Sequence, residues 1–164
     1  MRNQAKTALS AIGTLAAALL CSACSTTPIP AKPLPRDPST EAWYATATAE
    51  LTELTSQAKQ DFESGKIDAA SVLIQQGETV SARLLSIPRP TSAALEATSD
   101  LDELYGQMLF RNRHYGWARL QFQKNLARWK HLPPQTANSA SRLAAAQLEI
   151  DQCDRAIDSQ ARTP

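Results

Sequence analysis

From residue 42 to residue 161 the apolar side chains recur at steps of three and four, broken at Gly65, at the proline pairs and at the polar run 111–114. That spacing places them on one face of an α-helix, because successive residues on a helix turn through about 100°. Between Ala42 and Ser64 the stripe is Ala47, Leu51, Leu54, Ala58 and Phe62, and Gly65 supplies the stop. Asp37 followed by Pro38 suits an N-cap and the first helical position. A second helix, from Ile67 to about Ser86, presents Ile67, Ala70, Ile74, Gly77 and Leu84 before Ile87-Pro88-Arg89-Pro90 ends it. A third starts near Thr91 or Ser92 and carries Leu95, Leu101, Leu104 and Met108.

Arg111-Asn112-Arg113-His114 reads as a turn, because Tyr115, Ala118, Phe122, Leu126 and Trp129 then open a fresh stripe. The alternative is one helix running through to Lys130, with Gly116 as its weak point. Pro133-Pro134 closes that stretch, and a last helix from about Thr136 to Ala161 shows Leu143, Ala146, Ile150, Cys153 and Ile157. No stretch sustains the period-two alternation of strands. The expected fold is all-α, an antiparallel bundle or stacked helical hairpins of about five helices joined by short turns.

The first forty residues follow a different logic. Arg2 and Lys6 precede an uncharged apolar run from Ala8 to Leu20, and the small residues Ser22 and Ala23 then lead to Cys24. This is the layout of a secretory signal, and its apolar core is too short for a spanning helix. Ser22-Ala23-Cys24 resembles the lipobox of bacterial lipoproteins. The resemblance implies that Cys24 takes a diacylglyceryl group on its thiol, that residues 1–23 are cleaved, and that the new amino terminus is acylated. Two or three chains hold a protein on a bilayer where one would not. Ser25, standing where the family's inner-membrane retention signal would be Asp, implies the outer membrane, facing the periplasm.

Residues 24–37 form the expected linker. Residues 25–38 hold five of the ten prolines, at 28, 30, 33, 35 and 38, which makes this stretch extended and semi-rigid. It reads either as a tether that lifts the domain from the lipid or as a tail with no such role. The helical domain is then 38–162. Cleavage removes two cations and no acid, so the formal charge moves from +1 to −1 and points to no class of partner. With Cys24 acylated only Cys153 remains, so no disulfide framework is available, and its place on an apolar stripe makes it a buried, inert thiol.

Two hairpins share a pattern. Placing Ala70 over Ala118 also places Ala58 over Gly106, Ile67 over Tyr115 and Ile74 over Phe122, at an offset of 48 residues. Small residues where two helices cross, with larger apolar residues beside them, resemble tetratricopeptide-repeat hairpins, although that family repeats every ~34 residues. Asn125 stands where the family has a small apolar residue. The resemblance implies a protein-binding scaffold. An unrelated bundle whose crossings need small residues for the same steric reason gives the same pattern.

Charge is uneven along the chain. Residues 96–103 hold Glu96, Asp100, Asp102 and Glu103, whereas 111–130 hold Arg111, Arg113, Arg119, Lys124, Arg128 and Lys130 and no acid. With Trp117 lying off the apolar stripe, these cations form a candidate surface for an anionic partner: a lipid head group, an acidic protein or an envelope polymer. The other reading is a solvated basic face paired with the acidic third helix. Nucleic acid is not expected, because export removes the chain from it.

Catalytic chemistry finds little purchase. His114 and His131 lie 17 residues apart with no Cys beside them, which is not a metal-ligand spacing on one helix. Asp100, Asp102 and Glu103 read as a solvated helix start, and Gly65-Lys66 as a turn. No catalytic residue, cofactor, metal or small-molecule substrate is assigned. The expected function is that of a lipid-anchored binding or scaffolding component of a cell-envelope complex, not an enzyme. The alternatives are an accessory factor binding or acting on an envelope polymer such as peptidoglycan, and a purely structural lipoprotein.

Overall fold

A computed structural model describes residues 37–131 and 137–162. The helices are α1 (Ala42–Glu63), α2 (Ile67–Leu85), α3 (Ser92–Arg111), α4 (Tyr115–Lys130) and α5 (Ala137–Ala161), preceded by a 3₁₀ turn, Pro38–Thr40. The described residues contain no strand, so the domain is all-α as the periodicity requires. The signal segment, Cys24, the tether up to Arg36 and Pro133-Pro134 lie outside the described residues.

The helix ends follow the local chemistry, with one correction. Asp37 does accept from the Ser39 amide at 2.9 Å, and that bond holds its carboxyl below the usual range, but it caps the 3₁₀ turn and not α1. Glu41 lies between the two elements with an extended backbone, so α1 starts at Ala42. Thr91 caps α3 by accepting from the Ala94 amide at 3.3 Å. The chain turns at 112–114, so α3 and α4 are separate helices.

α1 pairs with α2 and α3 with α4. α3 also packs on α1 and α2, and α5 packs on α4. Two cores result, and α3 serves both. The first joins α1, α2 and α3 through Leu51, Ala58, Ala70, Ile74, Leu84, Leu101 and Met108. The second joins α4 and α5 through Ala118, Phe122, Ile150 and Cys153, with Leu109 and Phe110 of α3 packed against it. Each fully buried Leu or Ile contributes roughly 1.5–3 kcal/mol by leaving water. Tyr44, buried near the start of α1, accepts from the Thr91 amide at 3.2 Å and ties the first helix to the start of the third.

The two hairpin turns repeat each other at the 48-residue offset. Gly65 has φ +79° and Arg113 φ +62°. Lys66 donates its amide to the Asp61 carbonyl at 2.8 Å, and His114 donates to Leu109 at 2.9 Å. Gly65 to Phe62 (3.1 Å) matches Arg113 to Phe110 (3.0 Å), and the entry residues Lys66 (φ −84°) and His114 (φ −85°) agree. A left-handed residue after the helix lets its last carbonyls find donors, which is why both turns need one.

Candidate functional site

The fourth helix carries the cations singled out in the sequence, and the structure sorts them by partner. Arg128, only 12% exposed, donates to Asp102 at 2.8 Å, to the Ser99 hydroxyl at 3.0 Å and to Asn125 Oδ1 at 2.8 Å. Lys124 shares the same carboxylate at 3.0 Å and also donates to Gln121. Arg119 pairs with Asp154 of α5 at 2.6 Å. Arg111 lies over the Phe62 ring, 4.9 Å from its centroid. Arg113 is exposed at the tip of the turn, and Lys130 is exposed at the end of α4. Trp117 is 67% exposed, and the neighbouring Leu120 is 51% exposed.

Asp102 corrects the view of the acidic third helix as wholly solvated. It is 5% exposed at its side chain, held between two cations. Asn125, which breaks the small-residue pattern, is buried and donates to the Ser99 carbonyl at 2.9 Å. No buried side-chain polar atom among the described residues is left without a hydrogen bond, which is the condition under which such a network can persist in a core.

Two open sides flank α3. Between α1 and α3 lies a hollow of 340 Å³ lined by Thr52, Thr55, Ser56, Lys59, Asp100, Glu103, Leu104 and Gln107. Beside it the Gln107 amide donates at 3.3 Å to Glu103 and at 3.3 Å to Glu149 of α5, while Asp100 pairs with Arg142. Burial, reinforced by Glu103, pushes the Glu149 carboxyl up to about 7 despite the stabilising amide. Burial and the neighbouring Asp100 raise Glu103 as well. This side can hold a proton near neutrality.

The other side of α3 is open as well. Tyr105 and Leu109 floor two adjoining hollows of 240 and 390 Å³, the first reaching Ser71, Gln75 and Glu78 on α2, the second reaching His114 and Trp117. Sequence reasoning found Trp117 and missed this floor. The signal was present, since Tyr105 and Leu109 are four apart and off the Leu101/Leu104/Met108 stripe, so they define a second face of the same helix.

Among the described residues no three His, Cys, Asp or Glu side chains are placed to hold a metal ion. The Cys153 thiol is fully buried and pushed up to about 11 by burial and by Asp154, so it is a packing residue. No described helix is long and apolar enough to cross a membrane. Against known proteins, no family model, no curated protein and no solved structure matches the chain.

Proposed function

We propose that the chain is a lipid-anchored protein of the bacterial outer membrane, attached through Cys24 and facing the periplasm, whose helical domain binds and helps scaffold an envelope protein complex. The anchor rests on Ser22-Ala23-Cys24 after a charged and apolar leader. The observation that carries the binding role is the exposed Trp117 beside an open hollow floored by Tyr105 and Leu109. A large aromatic left in water next to a recess is the usual form of a recognition surface. The repeated hairpin supports a scaffold built to a standard geometry, in keeping with the resemblance to tetratricopeptide hairpins.

Purification of the full-length chain from native membranes after mild chemical cross-linking tests the reading. The same envelope protein should recur across preparations, and a Cys24→Ser chain whose leader is still cleaved, distinguished by mass from the uncleaved precursor, should leave the membrane fraction. Recovery of the chain alone at native expression would overturn the binding role. Mass spectrometry showing an unmodified Cys24 would overturn the anchor.

A second reading, an accessory factor acting on an envelope polymer, is favoured by the Glu103/Glu149 pair, since a carboxyl raised to about 7 is suited to proton transfer. Purified peptidoglycan incubated with the protein should then release soluble fragments, and Glu149→Gln should abolish the release. An unchanged polymer removes this reading.

A further inference from the structure

We infer that α5 is a detachable cap on the domain, seated by one proton shared between Glu149 of α5 and Glu103 of α3 and released when that proton passes to solvent. The cap needs neither partner nor polymer, so its test and those above fail separately. Of the described residues of α5, Ser139, Ala146, Ile150 and Cys153 are buried, against nine in α3. The helix packs on α4, with Leu109 and Phe110 of α3 at the edge of the shared core. An edge helix with so little buried surface is the element that opens most readily, and alone in water it would keep little of its structure.

The polar part of its seat on α3 has a shortage of positive charge. The Gln107 amide donates to Glu103 and to Glu149, each at 3.3 Å, so one neutral nitrogen lies between two half-buried carboxyls. Two ionised acids would repel across it. The surrounding cations are engaged elsewhere. Arg142 of α5 pairs with Asp100 of α3, is drawn also by Glu96 and Glu103, and lies over the Trp129 ring of α4, 5.1 Å from its centroid. Lys59 of α1 is exposed and reaches Glu63 at 4.0 Å. On α4, Arg119 is held by Asp154, and Lys124 and Arg128 by Asp102. Arg142 and Lys59 draw Glu103 down, but burial and Asp100 outweigh them. Burial and then Glu103 push Glu149 up to about 7. Released into water, Glu149 returns to the ordinary value near 4.5. The seated helix therefore binds more protons than the released one, so opening rises with pH between these values and levels off above them.

Hydrogen exchange of the full-length chain, read by mass spectrometry and divided by the intrinsic rate at each pH, tests this. Peptides of α5 around Ile150 should open more readily at every pH than those around Leu51 of α1 and Ile74 of α2. Their opening should rise about tenfold from about pH 5.5 to 8, less than the full shift would give because Glu149 is partly in water. Labelling of the buried Cys153 thiol, read at that residue and normalised to the unfolded chain at the same pH, should follow the same curve. Glu149→Gln keeps an acceptor for Gln107 and carries no charge, so it should hold α5 shut across the range. Glu103→Gln should move the rise to lower pH. Far-ultraviolet circular dichroism verifies that each variant keeps its fold. Exchange of α5 and α1 at one common level would overturn the inference, because α5 would then open only with the whole domain. An α5 unprotected even at pH 5.5, or an opening that does not rise with pH, would do the same. A rise that survives Glu149→Gln would belong to another group, such as His114 or His131, and one unmoved by Glu103→Gln would remove the sharing.

Discussion

The two hairpins hold one backbone geometry with opposite chemistries. Where the α1/α2 hairpin has Leu51, Leu54, Gly77 and Val80, the α3/α4 hairpin has Ser99, Asp102, Asn125 and Arg128, each 48 residues on. The first set packs an apolar crossing, with Leu51 fully buried and 3.4 Å from where an added Cβ on Gly77 would lie. The second set is a closed polar network in which every member is bonded to another: Asn125 to Ser99, and Arg128 to Ser99, Asn125 and Asp102. A helix crossing thus needs filled space and satisfied groups, and side chains of either kind provide them. What differs is the failure mode. An apolar crossing loses contacts in proportion to the atoms removed, whereas a buried ion pair that loses one member leaves a charge stranded.

The sharpest way to break the comparison is Asp102→Leu, the residue found at the matching position of the first hairpin. Arg128 then keeps only neutral partners in a site that is 12% exposed. The expected loss is about 3–5 kcal/mol in denaturant unfolding. Adding Arg128→Val, which completes the match to Leu54 and Val80, should recover most of it, because Lys124 is half-exposed and can stay solvated without Asp102. If the double variant is as unstable as the single one, the two crossings are not interchangeable and the matching positions are not equivalent.

The small residue at the crossing gives a smaller test of the same kind. A Cβ on Gly106 would lie 2.5 Å from the Phe122 ring, and Phe122 is 2% exposed with no room to yield. Gly106→Ala should cost about 1–3 kcal/mol by overpacking. The first hairpin carries Ala58 and Ile74 at these positions, so combining Gly106→Ala with Phe122→Ile should restore stability toward the parent, read from the same unfolding curves. Failure of that rescue would show that the ring is held by α5 neighbours such as Ile150 and Cys153 more than by the crossing.

Much of this was legible in the chain before any coordinates. Apolar periodicity located all five helices, because a stripe such as Ala118, Phe122 and Trp129 has only one helical solution that buries it. The offset that pairs Ala58 with Gly106 also pairs the two turns, since the left-handed residue falls at the same place in both. Pairing of the basic fourth helix with the acidic third was one of the two readings, and Lys124 and Arg128 do pair with Asp102, but the burial of the network was hidden. Composition assigns Asp102 and Arg128 to water by default, and only the arrangement of α3 against α4 brings the two within 2.8 Å. Ile157, read as core, is 36% exposed near the end of α5, where a stripe continues but the neighbouring helices do not. The hollow beside Trp117 was half legible: the indole stood out as an aromatic off its stripe, but the floor from α3 depends on which helices leave it open.

The turns sharpen the comparison at lower energy. Both adopt the left-handed region, but one uses Gly65 and the other Arg113. A side chain in that conformation costs roughly 1–2 kcal/mol relative to the right-handed region, partly offset by the entropy glycine loses on folding. Arg113→Gly should therefore stabilise the domain by up to ~1 kcal/mol, and Gly65→Arg should destabilise it by a similar amount. Thermal melts of the two variants should move in opposite directions, by a few degrees each. Equal and unchanged midpoints would mean that the matching φ values do not reflect matching strain.

A last test separates the hairpins by pH. Glu103 and Gln107 stand where the first hairpin has Thr55 and Lys59, so only the second brings a carboxyl against Glu149 of α5, through the shared Gln107 amide. Lys59 and the Asp100/Arg142 pair are the other charges at that junction. Because the folded Glu149 keeps its proton up to about 7 while the unfolded carboxyl releases it near the ordinary 4.5, the folded state binds more protons between these values. Stability must then fall as pH rises through that window and level off above it. Glu149→Gln keeps an acceptor for Gln107 and removes the ionisation. It should leave stability near pH 4.5 almost unchanged, raise it at pH 8, and flatten the slope between them in urea unfolding followed across the series. A slope that survives the substitution would assign the pH dependence to Glu103 alone, and one that runs upward would show that the α3/α5 junction favours the ionised carboxyl.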